Sequence, residues 1–229
     1  MDFSNLNLFS DRGGQFLIPL SDFISKVSKI KCLIFDWDGV FNSGVKGDGV
    51  YSCFSEVDSM GLNILRFGYK LKFNEILLAG IISGEKNPST EKFVNREHLN
   101  FKCLGFKDKI EGFNYVLKQY SLIPEQVAFV FDDILDLSLA EKCGLRFQIN
   151  RLATPMFNNY VKNNNLADYV SANCGDKFAV REISELMLAS IDVYNQAVKS
   201  RTKFDEKYSE YISQRNSIQP ITFSPNVTY

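Results

Sequence analysis

Two carboxylates two positions apart, Asp36 and Asp38, close the short apolar run KCLIF (31–35). A second acidic group, Asp132 and Asp133 with Asp136 one turn further on, closes the run VAFVF (127–131). Acids crowded at strand ends repel one another unless a cation or a shared proton offsets their charge. The ligand atoms on offer are oxygens, with no histidine or cysteine beside them, and such a set favours magnesium over zinc. Magnesium keeps part of its water shell and turns toward phosphate. Two further polar residues suit that partner. Ser83, closing the run EILLAGIIS (75–83), offers a hydroxyl, and Lys109, following Asp108 at a helix start, offers an ammonium.

These residues need a frame that delivers separate segments to one rim. KCLIF, EILLAGIIS, VAFVF and LRFQIN (145–150) read as strands buried on both faces. Between and beside them, residues 58–71, 89–100, 108–120 and 134–143 carry apolar residues at helical spacing. Strands alternating with helices predict an α/β fold with a parallel sheet, right-handed crossovers and helices on both faces. In such sheets ligands collect beyond the carboxyl ends of the strands, where the acids, Ser83 and Lys109 all fall. Residues 44–56, with three glycines and alternating character, suggest a β-hairpin standing over that rim. Residues 20–30 predict an amphipathic lead-in helix. A last helix is expected from near Ala179 to beyond EISELMLASIDVYNQAVKS (182–200), and the residues from about Ser200 are polar and end in a Pro-containing tail that is expected to be disordered.

The totals narrow the function classes. A chain of 229 residues, 45% hydrophobic, can bury the core of one enzyme-sized domain. With 26 Lys plus Arg against 27 Asp plus Glu there is no global field to attract nucleic acid or an anionic membrane, so an anionic ligand must be caught locally. Five scattered cysteines without CxxC spacing argue against a disulfide framework and a zinc site. No signal peptide is evident and no apolar run approaches the ~20 residues of a membrane span. The expectation is a soluble protein of the cytoplasm.

The ordered set DWDGV, IISG, DK and FDDILD resembles the four motifs of the haloacid dehalogenase (HAD) superfamily of phosphatases. The stretches DWDGVFNSG, FSEVDSMGLNIL, GFKDKIEGFNYVL, VAFVFDDILDLSLAEKCGL and ADYVSANCGDKFAVREISELML narrow it, being similar to the 3-deoxy-D-manno-octulosonate (KDO) 8-phosphate phosphatase family. Relatives of that family act on 9-phosphates of nine-carbon sialic-type acids such as the deaminated sialic acid KDN. The resemblance spans about residues 30–188. It implies a Rossmann-like, capless HAD fold in a homotetramer whose neighbouring subunits cover each active site. It divides the chain into an extension at 1–29, a phosphatase domain at 30–199 and a tail at 200–229.

The resemblance also implies roles. Asp36 is the nucleophile and Asp38 the general acid and base, with Ser83 and Lys109 completing the catalytic set. Asp36, Asp132, the Asp38 backbone carbonyl and Asp133 surround magnesium, and Asp136 orients waters or Lys109. Ser83, Gly84, Glu85, Arg96, Lys109 and Arg181 are the substrate-binding candidates. The implied reaction is hydrolysis of a 3-deoxy-2-ketoacid sugar phosphate, KDO 8-phosphate or a nine-carbon 9-phosphate, through an aspartyl-phosphate. Open beside it stand a catalytically silent regulatory or scaffold subunit and a phosphatase or phosphomutase for another small phosphate ester.

Departures from the family pattern keep those alternatives open. Phe131 replaces the usual glycine before the acidic pair, Glu85 replaces an arginine, and Asp176, Lys177 and Phe178 interrupt a glycine-rich segment that retains Gly175. Four residues carry plainer readings. Trp37 is expected to pack on the far side of the strand from the acids. Asp58 is expected to cap its own helix unless it serves the site. His98 is expected at the surface, and Arg181 pairs with Glu182 or Glu185 if it does not reach substrate.

Overall fold

The computed structural model describes residues 4–47, 49 and 52–225. In chain order its elements are α1 (Ser4–Asp11), β1 (Gln15–Phe16), α2 (Leu20–Val27), β2 (Cys32–Phe35), α3 (Glu56–Phe73), β3 (Leu78–Ser83), α4 (Pro88–Arg96), β4 (Phe101–Leu104) and α5 (Lys109–Tyr120). They continue with β5 (Val127–Phe131), α6 (Leu137–Ala140), β6 (Leu145–Gln148), α7 (Pro155–Asn163), β7 (Tyr169–Val170), α8 (Ala179–Ser190), α9 (Tyr194–Lys203), α10 (Glu206–Asn216) and β8 (Ile221–Phe223). The sheet order is β1-β7-β6-β5-β2-β3-β4-β8, and every pair but β1 with β7 is parallel.

Alternation along the central strand divides the core. Leu33, Phe35 and Trp37 face one apolar layer with α3 and α8, while Cys32 and Ile34 face a second with α5, α6 and α7. Both faces are covered, so the strands read as continuous apolar runs. From β2 the chain winds through β3 to β4 and then returns to β5 on the other side of β2. The crevice between the ends of β2 and β5 is therefore the topological switch point, where ligands bind in open parallel sheets. Phe35 is level with Val130, so Asp36 and the residues after Phe131 emerge side by side.

Several sequence expectations need correction. Among the described residues of 44–55 the expected hairpin is represented only by a β-bridge at Gly47; Asp48, Val50 and Tyr51, the tip of the hairpin, lie outside the described residues. The last helix breaks at 191–193, where Asp192 takes a left-handed φ of 52°, and α9 begins anew. The segment after Ser200 is ordered through residue 225. Tyr208 and Tyr211, three apart on α10, pack on Phe67, and their hydroxyls donate to Asn63 Oδ1 and Asn63 O at 3.0 Å each. Two buried tyrosines anchor a helix that composition alone made look too polar to fold. β8 then extends the sheet beside β4, as β1 extends it at the other end. No helix among the described residues is long and apolar enough to cross a membrane.

Asp58 does not cap its own helix; the Ser55 hydroxyl does, accepting from Val57 N and Asp58 N. The buried Asp58 carboxylate instead accepts the Arg181 N–H at 2.9 Å, in the first turn of α8. Burial raises its pKa to about 7 against the opposing pull of that N–H and of the Arg181 charge. A folded pKa above the unfolded value means the folded state holds the proton more tightly. The associated stability is full below about pH 4 and is lost as pH rises through about 7. Asp58→Asn keeps the acceptor without the charge. Its stability relative to wild type should rise by about 4 kcal/mol at most between pH 4 and pH 8, roughly three pKa units at about 1.4 kcal/mol each. Urea unfolding at both pH values checks this; a constant difference would defeat it.

Candidate active site

Asp36 leaves β2 at the crevice, its N–H still bonded to Val130 O at 3.0 Å. Asp132 leaves β5 beside it, and the turn Ile134–Asp136 folds back so that Asp136 joins them. Asp36, Asp132 and Asp136 are 8%, 3% and 1% exposed, and each offers one oxygen within 4.8 Å of the others. Lys109 at the start of α5 reaches in from the other side, its Nζ 2.6 Å from Asp36 Oδ1 and 2.5 Å from Asp136 Oδ1. The second Asp136 oxygen accepts the N–H groups of Asp132 and Asp133 at 3.4 and 3.3 Å, so this acid fixes both the lysine and the loop.

Two of the three buried carboxylates, Asp36 and Asp136, share one buried ammonium, and Asp132 meets the partly exposed Arg151 guanidinium instead. Burial first, then the Asp136 charge, raises the Asp36 pKa to about 7, while Lys109 opposes the rise. Burial followed by the charges of Asp36 and Asp136 raises Asp132 to about 8. At Lys109 burial disfavours the charge, but Asp36 and Asp136 outweigh it and hold the pKa above the ordinary value. An all-oxygen cluster this short of positive charge fits a hard divalent cation.

Phe131, the residue that put this loop in question, turns its ring into the core and stacks on Phe129 with centroids 5.8 Å apart. The bulky side chain therefore points away from the acids, and the cluster forms. Asp133 departs from expectation: it is exposed, and its Oδ1 accepts Ile134 N at 2.7 Å as a cap. Asp136, for which the resemblance implied a role in orienting waters or Lys109, is the acid that meets Lys109.

Asp38 faces a different set of partners. The Ser52 hydroxyl donates to its Oδ1, and Lys46 Nζ lies 2.8 Å from its Oδ2. Asn87, which caps α4 through its own carbonyl, donates to Ser52 Oγ at 2.8 Å. Two acids two residues apart thus have separate surroundings, one metal-like and one hydroxyl-lined. Trp37 between them is fully buried on the opposite face, stacked with Phe41 at 4.9 Å. Gly39 follows with φ 87°, and a Cβ there would overlap Asp132 and Arg151. Gly175 packs so closely on the Gly39 carbonyl that a side chain would displace it, which accounts for its survival in an otherwise altered segment.

Ser83 is 2% exposed at the end of β3, where its Oγ accepts the Glu85 N–H at 3.4 Å. Gly84 follows, and exposed Glu85 pairs with Lys107 at 2.6 Å. Arg96 is drawn to Glu56 at 2.5 Å and lies over the Phe54 ring, and Arg181 pairs with Glu185 at 2.7 Å. Glu182 instead holds the loop before α8, accepting from Tyr169 OH and the N–H groups of Ala172 and Asn173. His98 is half-buried, with φ 49° and Nδ1 3.3 Å from Ile218 O. Ser52, Asn87, Lys46 and Arg151 were missed from sequence. Arg151, which donates to Asp132 Oδ2, could have been found, because it closes the LRFQIN strand at the same rim.

No protein-family model matches the chain. It is 30% identical over 176 residues to the 3-deoxy-D-manno-octulosonate 8-phosphate phosphatase KdsC of Escherichia coli (strain K12), covering 74% of this chain and 86% of that one. The crystal structure of 3-deoxy-D-manno-octulosonate 8-phosphate phosphatase from Yersinia pestis superposes with a TM-score of 0.64 at 26% identity, over 76% of this chain and 89% of that one. The corresponding enzyme from Moraxella catarrhalis, solved in complex with magnesium ion, phosphate ion and KDO, shares the fold with a TM-score of 0.65 at 21% identity, over 80% and 99%.

Proposed function

The chain belongs to the KDO 8-phosphate phosphatase family of HAD phosphatases, and we propose that it hydrolyses a 3-deoxy-2-ketoacid sugar phosphate through an aspartyl-phosphate on Asp36, with magnesium. The observation that carries this reading is the buried cluster of Asp36, Asp132 and Asp136 with Lys109 at the switch point of the sheet. Asp36 and Asp132, with the Asp38 carbonyl that the resemblance adds, would hold the metal. When bound, it neutralises phosphoryl charge and fixes the phosphate beside the nucleophile.

In the first step an Asp36 oxygen forms a bond to phosphorus as the bond to the sugar oxygen breaks, and Asp38 gives that oxygen its proton. In the second, Asp38 takes a proton from water, whose oxygen bonds to phosphorus as the aspartyl bond breaks and phosphate leaves. Lys109 and the Ser83 hydroxyl offset charge on the phosphoryl oxygens. The Ser52 and Lys46 contacts support a separate role for Asp38, since they hold its carboxyl among donors away from Lys109.

Glu85, with Lys107 as its partner, weakens the case for the eight-carbon substrate, because an acid stands where an arginine would meet the sugar carboxylate, and a nine-carbon substrate is proposed beside it. A homotetramer is proposed with the enzyme. Ile134 and Leu135 in the turn after β5, Leu152 in the loop after β6 and Met156 in the first turn of α7 are 66%, 82%, 92% and 80% exposed and would suit a covering neighbour. All five cysteines are free, in keeping with a cytoplasmic, reducing setting.

The test is phosphate release with magnesium and with chelator on KDO 8-phosphate, KDN 9-phosphate, N-acetylneuraminate 9-phosphate and hexose phosphates. One ketoacid phosphate should exceed the hexose phosphates by roughly tenfold or more in kcat/KM, and chelation should abolish turnover. A folded protein that turns over none of them would favour the silent subunit. An isomeric phosphate ester in place of free phosphate would favour a mutase.

A further inference from the structure

The loop after β6 brings into the acidic cluster a cation that no step of the reaction above employs. Arg151 Nη2 donates to Asp132 Oδ2. The same guanidinium lies against Gly39, directly after Asp38, where any side chain would overlap both it and Asp132. The guanidinium and Asp132 Oδ2 thus meet beside the backbone that follows Asp38. A divalent ion bound at that Asp132 oxygen would compete with the guanidinium for it.

The guanidinium also has somewhere to go. The Arg151 side chain is 34% exposed and borders a cleft of about 360 Å³ that contains Asn150, Cys174 and Asp176. Asp176, an exposed carboxylate, also lines this cleft. The hydrogen bond from the Cys174 thiol first, and more weakly the charges of Lys177 and Arg151, hold its pKa below the usual range against the opposing effect of burial.

We propose that Arg151 is the internal counter-ion of the metal site: it neutralises Asp132 in the metal-free protein, and the metal binds by displacing it toward Asp176. The proposal rests on the magnesium-dependent reading and adds to it a residue that sets metal affinity. Exchange of one cation for another keeps the buried acids compensated in both states, whereas an uncompensated buried carboxylate is costly.

The experiment is calorimetric titration of Mn²⁺ into the full-length, chelator-stripped protein. A salt concentration of about 0.5 M screens long-range attraction and leaves direct competition. Arg151→Met should bind Mn²⁺ roughly tenfold tighter than wild type. Equal or weaker binding by the folded variant overturns the proposal. Arg151→Lys, with a shorter reach and no fork, should also bind more tightly than wild type, and serves if the methionine variant does not fold. Asp176→Asn should weaken Mn²⁺ binding in the wild-type background and leave it unchanged in the Arg151→Met background. An identical loss in both backgrounds overturns Asp176 as the displaced position. If neither wild type nor variant binds Mn²⁺, the metal reading fails and takes this proposal with it. Equal binding by both defeats the proposal alone.

Discussion

Asp36→Asn should lower phosphate release by roughly 10⁴-fold or more while leaving a folded protein that is more stable than wild type at pH 8. The amide matches the carboxylate in shape but offers no anionic oxygen to attack phosphorus. The stability gain comes from the crowding described above. Burial and the Asp136 charge lift the Asp36 pKa to about 7, so its ionisation is harder in the folded chain than in the unfolded one. The stability tied to its proton is present at low pH and lost as pH rises through about 7. The asparagine variant escapes that loss. It should exceed wild type by about 1–2 kcal/mol at pH 8 and by less at pH 5, Lys109 still being held by Asp136. Appreciable turnover by the variant would remove Asp36 as nucleophile. A folded variant less stable than wild type at pH 8 would mean that Lys109 favours the Asp36 charge more than burial opposes it. Such a trade of stability for activity is expected where like charges are assembled for chemistry.

The acids were legible because strand ends in a parallel sheet can be read from apolar runs, and a carboxylate closing such a run has one rim to occupy. The placement of Asp136 was only half legible. The resemblance implied that it orients waters or Lys109, but that its second oxygen also accepts two loop N–H groups depends on the tight turn Ile134–Asp136, which sequence does not show. Ser52 and Asn87 were invisible because they meet across 35 residues of chain, and neither belongs to a periodic pattern. The outer strands of two or three residues, Gln15–Phe16, Tyr169–Val170 and Ile221–Phe223, are too short to announce themselves. The folding of residues 200–225 rests on Tyr208 and Tyr211 finding Phe67 and Asn63, a tertiary effect that overrides a polar composition.

Lys109→Met tests the other half of the charge balance, and here activity and stability should fall together. The methionine fills a similar volume but removes the ammonium that both Asp36 and Asp136 contact. Breaking a buried ionic group by deleting one partner typically costs about 3–5 kcal/mol, because the charges left behind are uncompensated. The lysine itself adds no slope between pH 5 and pH 9, since its pKa lies above the ordinary value and the ammonium is charged throughout. The pH dependence belongs to the acids. Without Lys109 their pKa values rise further, protonation relieves the repulsion at low pH, and the deficit should be small near pH 5 and widen toward pH 8. Urea unfolding at the two pH values measures it. A loss that does not change with pH would mean that Lys109 supports the site by packing and not by charge. Turnover should fall by about 10³-fold or more even at pH 5 in protein shown to be folded, because a neutral side chain cannot offset charge on the phosphoryl oxygens. Lys109→Arg separates the two roles. It restores the charge, and with it most of the stability at pH 8, but its planar fork cannot meet Asp36 and Asp136 as the single nitrogen of lysine does, so turnover should remain low.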